Sequence, residues 1–568
     1  ITVEPSVKWN GKGTKDDPYL LESPEHLADL SIMVDNGNDC RGVYYKFTKN
    51  LTLPENWNPI GSYNADGKPN WGNPFSGEID GNNKLLTIPA GSLSLLERPV
   101  DAVVKNLNIY GEKIPGYGLV ENCYSITVEN VRIKTGSHIL KSGLLGGYGV
   151  WSKTLIENCV VEEGVVIGDD GTWGDLGDTS YEYTFCGTFN HQDCIGSFAG
   201  AFAGRVRNCV SYATVYGRNN VGGIVGFKNQ SMRDFYVTDC AFYGDVKASG
   251  TMVGGIVGNG YEAISAPNTP CVSIENCYAT GNISGLDNVG GIFGGESGVY
   301  INLVNGIGRI RNNYFAGNVS AFGDNPNVGA IIGFMKSADR YNDICHNYYG
   351  EGCGSSKGIG AVERLIDENF VETDSRFILP DSADADMAKE YWRDGASIDS
   401  DEITMMVETN ALTDGTLTNL LNSGRYGRKD WQQGKDYPIF GDDRHVVLII
   451  SKGAEEGSEG FERKVHKIER DSDSYESLYN IDMQVEYSDG TTETLKVSEG
   501  DFSWVDFSKE GYQSAALMYD NYELHFCLKV IPPSDENAGK YVDNKINAID
   551  MNAENKAEKI ADARGAYE

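Results

Sequence analysis

Short apolar runs separated by tight polar turns make up most of this chain. Between about residues 110 and 350 the runs are rich in Val, Ile, Tyr and Gly, and apolar residues do not recur at the spacing of three and four that an amphipathic helix needs. Alternating runs of this length, bounded by Gly and Asn, are typical of strands. Each repeat carries three of them, as at residues 254–257, 274–278 and 281–284. The pattern predicts an all-β fold.

The same runs recur along the chain. Val-Gly-Gly-Ile-Val-Gly occurs at residues 221–226 and 253–258, with close variants at 289–294 and 328–333. A second element, Asn-Cys or a variant of it, has its second residue at positions 123, 159, 209, 240, 277 and 313, which are 36, 50, 31, 37 and 36 apart. Repetition at such a period indicates a solenoid. Because the units are strands, residues 91–355 are predicted to form a right-handed parallel β-helix.

Equivalent residues of successive coils in a parallel β-helix stack about 4.8 Å apart. The repeated Asn residues should therefore form a ladder of amides, and the Cys residues beside them should form a column of small, soft core side chains rather than a ligand set. The predicted ladder consists of Asn122, Asn158, Asn208, Asn276 and Asn312. Two close pairs elsewhere, Cys186 with Cys194 and Cys345 with Cys353, are candidate disulfides.

Both ends of the solenoid are predicted to be capped, because open strand edges invite aggregation. Residues 1–90 form an N-terminal cap and first coil. Within them, Ser23-Pro24 followed by apolar residues at 27, 30 and 34 predicts a short helix that ends near Gly37. Residues 356–441 form a C-terminal cap, with a second short helix at Leu417, Leu420 and Leu421.

The pattern changes after the solenoid. Apolar residues alternate at 481, 483, 485 and 487 and again from 522 to 530, which predicts a small antiparallel β-sandwich over residues 445–531. Residues 535–568 are assigned to the start of a helical module on the resemblance described below. The native chain is expected to continue beyond them.

The glycine-rich repeats resemble the GLUG motif of bacterial cell-surface proteins over roughly residues 110–350. The Tyr-Ser-Asp-Gly-Thr turn at 487–491 resembles bacterial Ig-like domains, and residues 541–568 resemble the first part of a helical-bundle module found in such proteins. The resemblance implies an extracellular, cell-surface location, and a wall anchor is expected beyond residue 568. The start at Ile1 without Met leads us to expect that a signal peptide has been removed. It implies no single activity, because these solenoids precede peptidases, accompany glycan-active domains and occur in adhesins.

The net charge and the absence of several catalytic motifs exclude some classes of partner and enzyme. The chain has 82 Asp and Glu against 48 Lys and Arg, and a net charge of −34 disfavours nucleic acid and anionic lipid as partners. No run of 18 apolar residues is present, so no membrane insertion is expected in this segment. The sequence also lacks His-Glu-x-x-His, a Walker loop and Cys-x-x-Cys.

The longest interruption of the repeat, residues 167–195, mixes carboxylates with aromatic residues. Long loops on a rigid scaffold commonly carry function. An aromatic ring can pack on a sugar face while acids bind hydroxyls, so the insertion is a candidate glycan site. Asp169 and Asp170 are candidate calcium ligands, and no other cofactor is required. A solvated acidic lid or a calcium-bound loop is the alternative.

A second set of loops follows the glycine-rich strands. Neighbouring coils should bring Glu262 and Glu296 within several ångströms of each other, in the range that retaining glycosidases use. The candidate catalytic residues are therefore Glu262, Glu296 and Asp193, although two solvent-facing glutamates would have the same spacing. The candidate substrate-binding residues are Trp151, Trp173, Tyr261, Tyr300, His191 and Arg233.

Two classes of function fit these features. The first is a carbohydrate-active enzyme, a glycoside hydrolase or lyase acting on host or dietary glycans. The second is a non-catalytic adhesin or a glycan- or mucin-binding stalk. Acids and aromatics concentrated in the loops of adjacent coils favour the enzyme, whereas uniform coils would favour the adhesin.

Overall fold

A computed structural model describes most of the chain and divides it into two compact units. The described residues are 6–54, 57–61, 73–146, 154–174, 176, 181–183, 187–228, 235–260, 272–295, 309–337, 343–364, 404–424, 429–441, 446–451, 455–456, 464–469, 481–487, 491–497, 510–519 and 522–532. The first unit comprises residues 1–424 and 431–441, and the second comprises residues 425–430 and 442–568.

The first unit is a parallel β-helix, which confirms the predicted fold class. One regular coil covers residues 204–228 and contains five short strands, each paired in parallel with its equivalent in the next coil. The sequence pattern predicted three strands per repeat. The structure has five because two of the three apolar runs are bent in the middle and each forms two short strands. The five strands are Gly204–Arg207, Val210–Ser211, Thr214–Gly217, Val221–Gly222 and Val225–Lys228.

The largest sheet, here called the front sheet, collects the first two strands of every coil and has 20 strands among the described residues. Its first strands come from the N-terminal 90 residues, the stretch predicted as the N-terminal cap and first coil. The strands are Tyr19–Leu21, Tyr44–Phe47, Leu51–Thr52, Glu78–Thr87, Ala102–Tyr110, Ile126–Glu129, Arg132–Ile133, Leu155–Glu157, Val160–Val161, Gly204–Arg207, Val210–Ser211, Phe235–Thr238, Ala241–Phe242, Ser273–Glu275, Tyr278–Ala279, Arg309–Arg311, Tyr314–Phe315, Asp343–Cys345, Asn347–Gly350 and Thr404–Val407.

Three smaller parallel sheets complete the coils. The side sheet contains His138–Ile139, Val166–Ile167, Thr214–Gly217, Val246–Ala248, Asn282–Gly285 and Asn318–Ala321. The first glycine sheet contains Val221–Gly222, Thr251–Gly254, Asp287–Gly290 and Val328–Gly329. The second glycine sheet contains Ala199–Phe202, Val225–Lys228, Val257–Asn259, Phe293–Gly295, Ile332–Ser337 and Ile359–Arg364. Along each coil the chain visits the front, side, first glycine and second glycine sheets in that order.

The repeated Asn is the residue that bends the front-sheet segment. It adopts a left-handed backbone conformation in successive coils, for example φ +55° at Asn276 and at Asn312. Asn tolerates this region better than other non-glycine residues. The amides also form the expected ladder, because Asn312 Nδ2 donates to Asn276 Oδ1 (2.8 Å) and Asn276 Nδ2 donates to Asp239 Oδ1 (2.7 Å). The same residue therefore sets the bend and links the coils.

Two details of the predicted columns are wrong. Asn122 lies outside the ladder and donates to Glu97 Oε1 (2.5 Å); its expected place is taken by Asn130, since Ile156 pairs with Val128. Cys123 consequently lies outside the thiol column as well.

The Cys345–Cys353 disulfide is not formed, because Cys353 keeps a thiol that hydrogen-bonds to the carbonyl of Ser355. The other candidate disulfide includes Cys186, which lies outside the described residues.

The Val-Gly-Gly-Ile-Val-Gly motif brings two sheets into direct backbone contact. A Cβ on Gly222 would lie 2.0 Å from the carbonyl oxygen of Val225, and one on Gly226 would lie 2.5 Å from the backbone nitrogen of Ile195. The two glycine sheets therefore pack against each other without side chains between these positions. The glycines are buried and required for packing, so they do not form an open backbone surface.

Both caps contain the predicted helices. In the N-terminal cap the helix Pro24–Asp35 buries Leu27, Leu30 and Val34. In the C-terminal cap a 3-10 helix Thr409–Leu412, the helix Thr416–Ser423 and the hairpin Trp431–Gln433 with Pro438–Phe440 pack on a column of front-sheet tyrosines. The indole N–H of Trp431 donates to Asn276 Oδ1 (2.7 Å), so this cap also closes onto the asparagine ladder.

The second unit contains two small sheets. The first consists of Val446–Ser451, Asp482–Tyr487 and Thr492–Lys496, all antiparallel. The second consists of Glu455–Glu456, Lys464–Glu469, Gly511–Tyr519 and Tyr522–Ile531. The alternating residues Met483 and Val485 are buried as predicted. The pairing differs in one respect, because Lys464–Glu469 and Tyr522–Ile531 run parallel. The predicted helical tail at 535–568 lies outside the described residues.

Candidate functional site

The path of the coil brings the end of the long insertion close to the ends of the glycine-rich strands. Because the two glycine sheets fold back on each other, the start of the first and the end of the second meet at one edge. Asn259, which ends a strand of the second, donates from Nδ2 to Oδ1 of Asn220, which precedes a strand of the first (2.7 Å). Asn220 in turn donates to Cys194 Sγ at the end of the insertion (3.6 Å). We call this border the insertion edge.

The insertion contains its own hairpin, which reaches the same edge. Strands Tyr181–Tyr183 and Gly187–Phe189 pair antiparallel. The ring of Phe189 lies 5.7 Å from the ring of Phe227, a buried residue in the second-glycine-sheet strand Val225–Lys228. Phe227 lies just before the loop that carries Arg233. The end of the strand that precedes this loop is therefore in contact with the insertion.

Asp193 fixes the end of the insertion. Its side chain is 1% exposed, and the guanidinium of Arg218 donates to both of its oxygens, from Nε to Oδ1 (2.9 Å) and from Nη2 to Oδ2 (2.5 Å). The backbone N–H groups of Asn190 (3.0 Å) and Asn219 (3.1 Å) also donate to it. Both carboxylate oxygens are thus occupied by protein donors. This geometry is that of a structural clamp, which holds the insertion against the regular coils.

The first part of the insertion folds over the side sheet. The indole N–H of Trp173 donates to Nε2 of His138 (2.8 Å), and the two rings meet edge to face at 4.9 Å. Nε2 of His138 also lies 3.1 Å from the carbonyl oxygen of Gly168 and 3.7 Å from Asp170 Oδ1. Lys113 donates to the carbonyl of Thr172 (2.9 Å) and lies 5.3 Å above the Trp173 ring. These contacts give Trp173 one defined position.

The two aspartates of the insertion make short-range turns. Asp169 accepts from the Gly171 N–H (2.9 Å) and from Gln192 Nε2 (3.2 Å), and it lies 3.4 Å from His191 Nε2. Asp170 accepts from the N–H of Thr172 (3.0 Å) and from its hydroxyl (2.6 Å). Burial raises the pKa of Asp170, but the hydrogen bonds from Thr172 outweigh it, and the pKa lies below the ordinary aspartate value. Both oxygens of Asp169 and Oδ1 of Asp170 therefore face donors.

The described residues contain no group of three or more His, Cys, Asp or Glu side chains that could hold a metal ion. A calcium ion needs six to eight oxygen ligands. Asp169 and Asp170 are neighbours in sequence, but within the described ranges further carboxylates do not join them. The calcium site stays a prediction.

The structure thus brings together part of the predicted constellation. Asp169, Trp173, His191 and Asp193 all lie in the described part of the insertion, with Asp169 paired to His191 and Trp173 placed on the side sheet. The remaining predicted residues fall outside the described ranges: Trp151, Arg233, Tyr261, Glu262, Glu296 and Tyr300. The structure does describe the strand ends that precede Glu262 and Glu296. Asn259 and Gly295 pair in register, so the chain leaves for Glu262 and Glu296 from equivalent positions of adjacent coils.

Two residues at the site were not anticipated from the sequence. Lys113 and His138 come from earlier coils and reach the insertion only because the side sheet stacks those coils beneath it. His138 stands in a two-residue strand, where one histidine gives no periodic signal. A count of the register from Ile139 to Ile167 would have placed His138 beside the start of the insertion.

The described residues define a parallel β-helical protein with a long insertion at one edge of its coils. Comparison with known proteins adds one similarity. The chain is 27% identical over 181 residues to the protein named Halomucin from Haloquadratum walsbyi (strain DSM 16790 / HBSQ001), a match that covers 30% of this chain and 2% of Halomucin. No protein-family model and no solved structure matches the chain. The resemblance to GLUG-motif and Ig-like proteins therefore stays a prediction.

No helix in the described ranges has the length and apolar character required to cross a membrane.

Proposed function

We propose that this chain is an extracellular glycan-binding β-helix protein, and that its glycan site lies along the insertion edge and the adjoining side sheet. The observation that carries the proposal is the Trp173 cluster. A large ring is held in place by His138 and Lys113, four residues after Asp169, whose carboxylate is paired with His191. A fixed aromatic ring flanked by polar groups is the arrangement that packs on a sugar face and binds its hydroxyls.

Rigidity supports this interpretation. Side chains that must be ordered on binding cost free energy, and a ring already held in place avoids that cost. The ion pair between Arg218 and Asp193 likewise fixes the C-terminal end of the insertion to the regular coils. The similarity to Halomucin, whose name denotes a mucin, supports an extracellular location and a glycan-rich setting.

The proposal extends to hydrolysis as a second candidate function. The register of Asn259 with Gly295 starts the loops of Glu262 and Glu296 one coil apart, about 4.8 Å along the solenoid. Two carboxyl groups roughly 5 Å apart suit a retaining glycosidase, in which one is the nucleophile and the other the general acid. In this mechanism the acid protonates the leaving oxygen and then deprotonates the attacking water.

A panel of soluble polysaccharides and mucin glycans tests both candidates on the same protein. Retention is measured by affinity electrophoresis and turnover by the release of reducing ends. We expect the wild-type chain to be retained by at least one glycan of the panel. Retention by none would overturn the proposed function.

Substitution of the two glutamates separates binding from hydrolysis. If the chain cleaves a glycan, Glu262→Gln and Glu296→Gln should each abolish turnover while retention persists, because glutamine keeps the shape and removes the titrating group. Turnover that survives in both variants would exclude this pair. Retention without turnover in the wild type would leave the adhesin function in place.

A further inference from the structure

A second exposed aromatic surface lies away from the insertion, where the front sheet turns into the side sheet. Four residues occupy equivalent positions in consecutive coils there: Lys134, Glu162, Tyr212 and Tyr243. The register of Ile133, Val161, Ser211 and Phe242, each the residue just before one of the four, establishes this column. The column thus joins two charged residues to two tyrosines.

The tyrosines of this column are fixed from one side. The rings of Tyr212 and Tyr243 stack at 4.7 Å with an interplanar angle of 6°. Tyr243 is held in turn by a hydrogen bond between its hydroxyl and that of Tyr278 and by the ring of Tyr437 at 6.1 Å. Tyr212 is the last ring of the stack and is 41% exposed. One of its faces rests on Tyr243, and its other side points toward the coil that carries Glu162.

The charged half of the column has hydrogen-bonding capacity to spare. Glu162 accepts from Lys134 Nζ and from the N–H (3.1 Å) and hydroxyl (3.2 Å) of Thr135, and Arg132 Nη1 lies 3.7 Å from it. The side chains of Lys134 and Arg132 are 38% and 45% exposed. An ammonium carries three donors and a guanidinium five, so both groups can donate further without breaking the cluster.

We infer that this column, which we call the Tyr212 ledge, is a second glycan subsite that takes one neutral pyranose unit. The sugar packs its C–H face on Tyr212, and its hydroxyls accept from Lys134 and Arg132. A neutral sugar is favoured over an acidic one because both cations are already paired with Glu162 and the chain carries a net charge of −34. The inference rests on the proposed function, since it adds a subsite to a glycan-binding protein.

The C-terminal cap marks where the ledge ends. In the coils after Tyr243 the equivalent positions are Thr280 and Ala316, which offer no ring, and the cap hairpin packs on the neighbouring tyrosines. Tyr212 is therefore the ring of this column that stays exposed at the border of the cap. The repeat shows the same pattern in sequence, because Tyr212, Tyr243 and Thr280 each stand three residues after the repeated Cys.

The test compares dissociation constants for the neutral polysaccharide that the wild-type chain binds most tightly in a panel of neutral polysaccharides. Tyr212→Ala should weaken binding roughly three- to tenfold, the range expected for the loss of one aromatic contact. Tyr212→Phe keeps the ring and should bind like the wild type. Lys134→Met removes the donors but keeps the stem, and it should weaken binding by a smaller factor. Phe322→Ala, at an exposed aromatic position elsewhere (62% exposed), is the matched control and should have no effect.

The outcomes separate this inference from the proposed function. Loss of binding in Trp173→Ala with none in Tyr212→Ala would overturn the ledge and leave the insertion site standing. Loss in Tyr212→Ala with none in Trp173→Ala would support the ledge and overturn the insertion site. Equal losses in Tyr212→Ala and Phe322→Ala would overturn the ledge as a specific subsite. A wild-type chain that binds no member of the panel would overturn both.

Discussion

The regular coils and the insertion satisfy their polar groups in opposite ways. In the coils, Asn276 donates to Asp239 in one neighbouring coil and accepts from Asn312 in the other, so one side chain links the equivalent residues of both. In the insertion, Asp193 is bound by Arg218 and Trp173 by His138, and neither contact recurs in the next coil. Stability in the coils is thus shared along columns of equivalent residues, whereas the insertion depends on contacts that do not belong to a column.

This difference indicates where each kind of substitution will act. A residue in a column is linked to the coils on both sides, so its loss should weaken the whole solenoid. A residue in the insertion has partners that do not belong to a column, so its loss should free the insertion and leave the coils intact. Sites that must fit a ligand are commonly built on such separately adjustable loops.

The largest effect is expected at the contact between the two glycine sheets. Gly222→Ala places a Cβ 2.0 Å from the carbonyl oxygen of Val225, which is backbone and cannot turn aside. We expect the free energy of unfolding to fall by about 3 kcal/mol or more, measured by urea denaturation. Gly350→Ala is the control, because the nearest atom to its Cβ would be 3.7 Å away. Equal stability of the two variants would contradict the close packing of the sheets.

The next effect is expected in the asparagine ladder. Asn276→Ala removes a donor to Asp239 and an acceptor shared by Asn312 and Trp431, and it leaves alanine at φ +55°. The free energy of unfolding should fall by about 2–4 kcal/mol. Asn130→Ala is matched in backbone, at φ +51°, but this ladder residue is exposed. It should lose only about 1–2 kcal/mol. A reversed order would mean that burial does not set the strength of the ladder.

A smaller and local effect is expected at the clamp of the insertion. Asp193→Asn removes the charge that Arg218 binds, and the free energy of opening the insertion should fall by about 1–3 kcal/mol. Hydrogen exchange should then rise in residues 187–194 while the front sheet keeps its protection. The exposed pair of Lys12 with Asp17 provides the control, since Asp17→Asn should change stability by less than about 1 kcal/mol. Faster exchange throughout the front sheet would contradict a local role.

The smallest effect is expected from acidification of the turn at Asp170. Because the pKa of Asp170 is lowered in the folded chain, its ionised form contributes stability that is fully present above the ordinary aspartate value of about 3.9. That contribution is lost as the pH falls through the lower folded value. The Thr172 amide should therefore stay protected at pH 5 and lose protection only below about pH 4. Loss of protection near pH 6 would show that another group controls this turn.

The sequence predicted the solenoid well because its period appears directly in the residues. Repeated glycines and the Asn-Cys pairs report on positions that every coil shares. The prediction failed at Asn122 and Cys123, where a similar pair occurs at another position of the coil and Asn130 has the ladder place without a following Cys. Local similarity alone could not distinguish the two, since register is set by pairing across coils.

The candidate site was predictable in part. The insertion and its residues Asp169, Trp173, His191 and Asp193 stood out because they interrupt the repeat. Their partners Lys113 and His138 did not, since contacts between coils depend on register and on the course of the loop. The role of the glycines was also missed, because only the three-dimensional path shows that the two glycine sheets fold against each other.

The central claim is that Trp173 lies in the glycan site, and one binding measurement tests it most directly. The dissociation constant for the best-retained glycan should rise roughly three- to tenfold in Trp173→Ala, with an unchanged melting temperature, and stay at the wild-type value in Phe322→Ala. A dissociation constant for Trp173→Ala equal to that of the wild type would contradict the placement of Trp173 in the site.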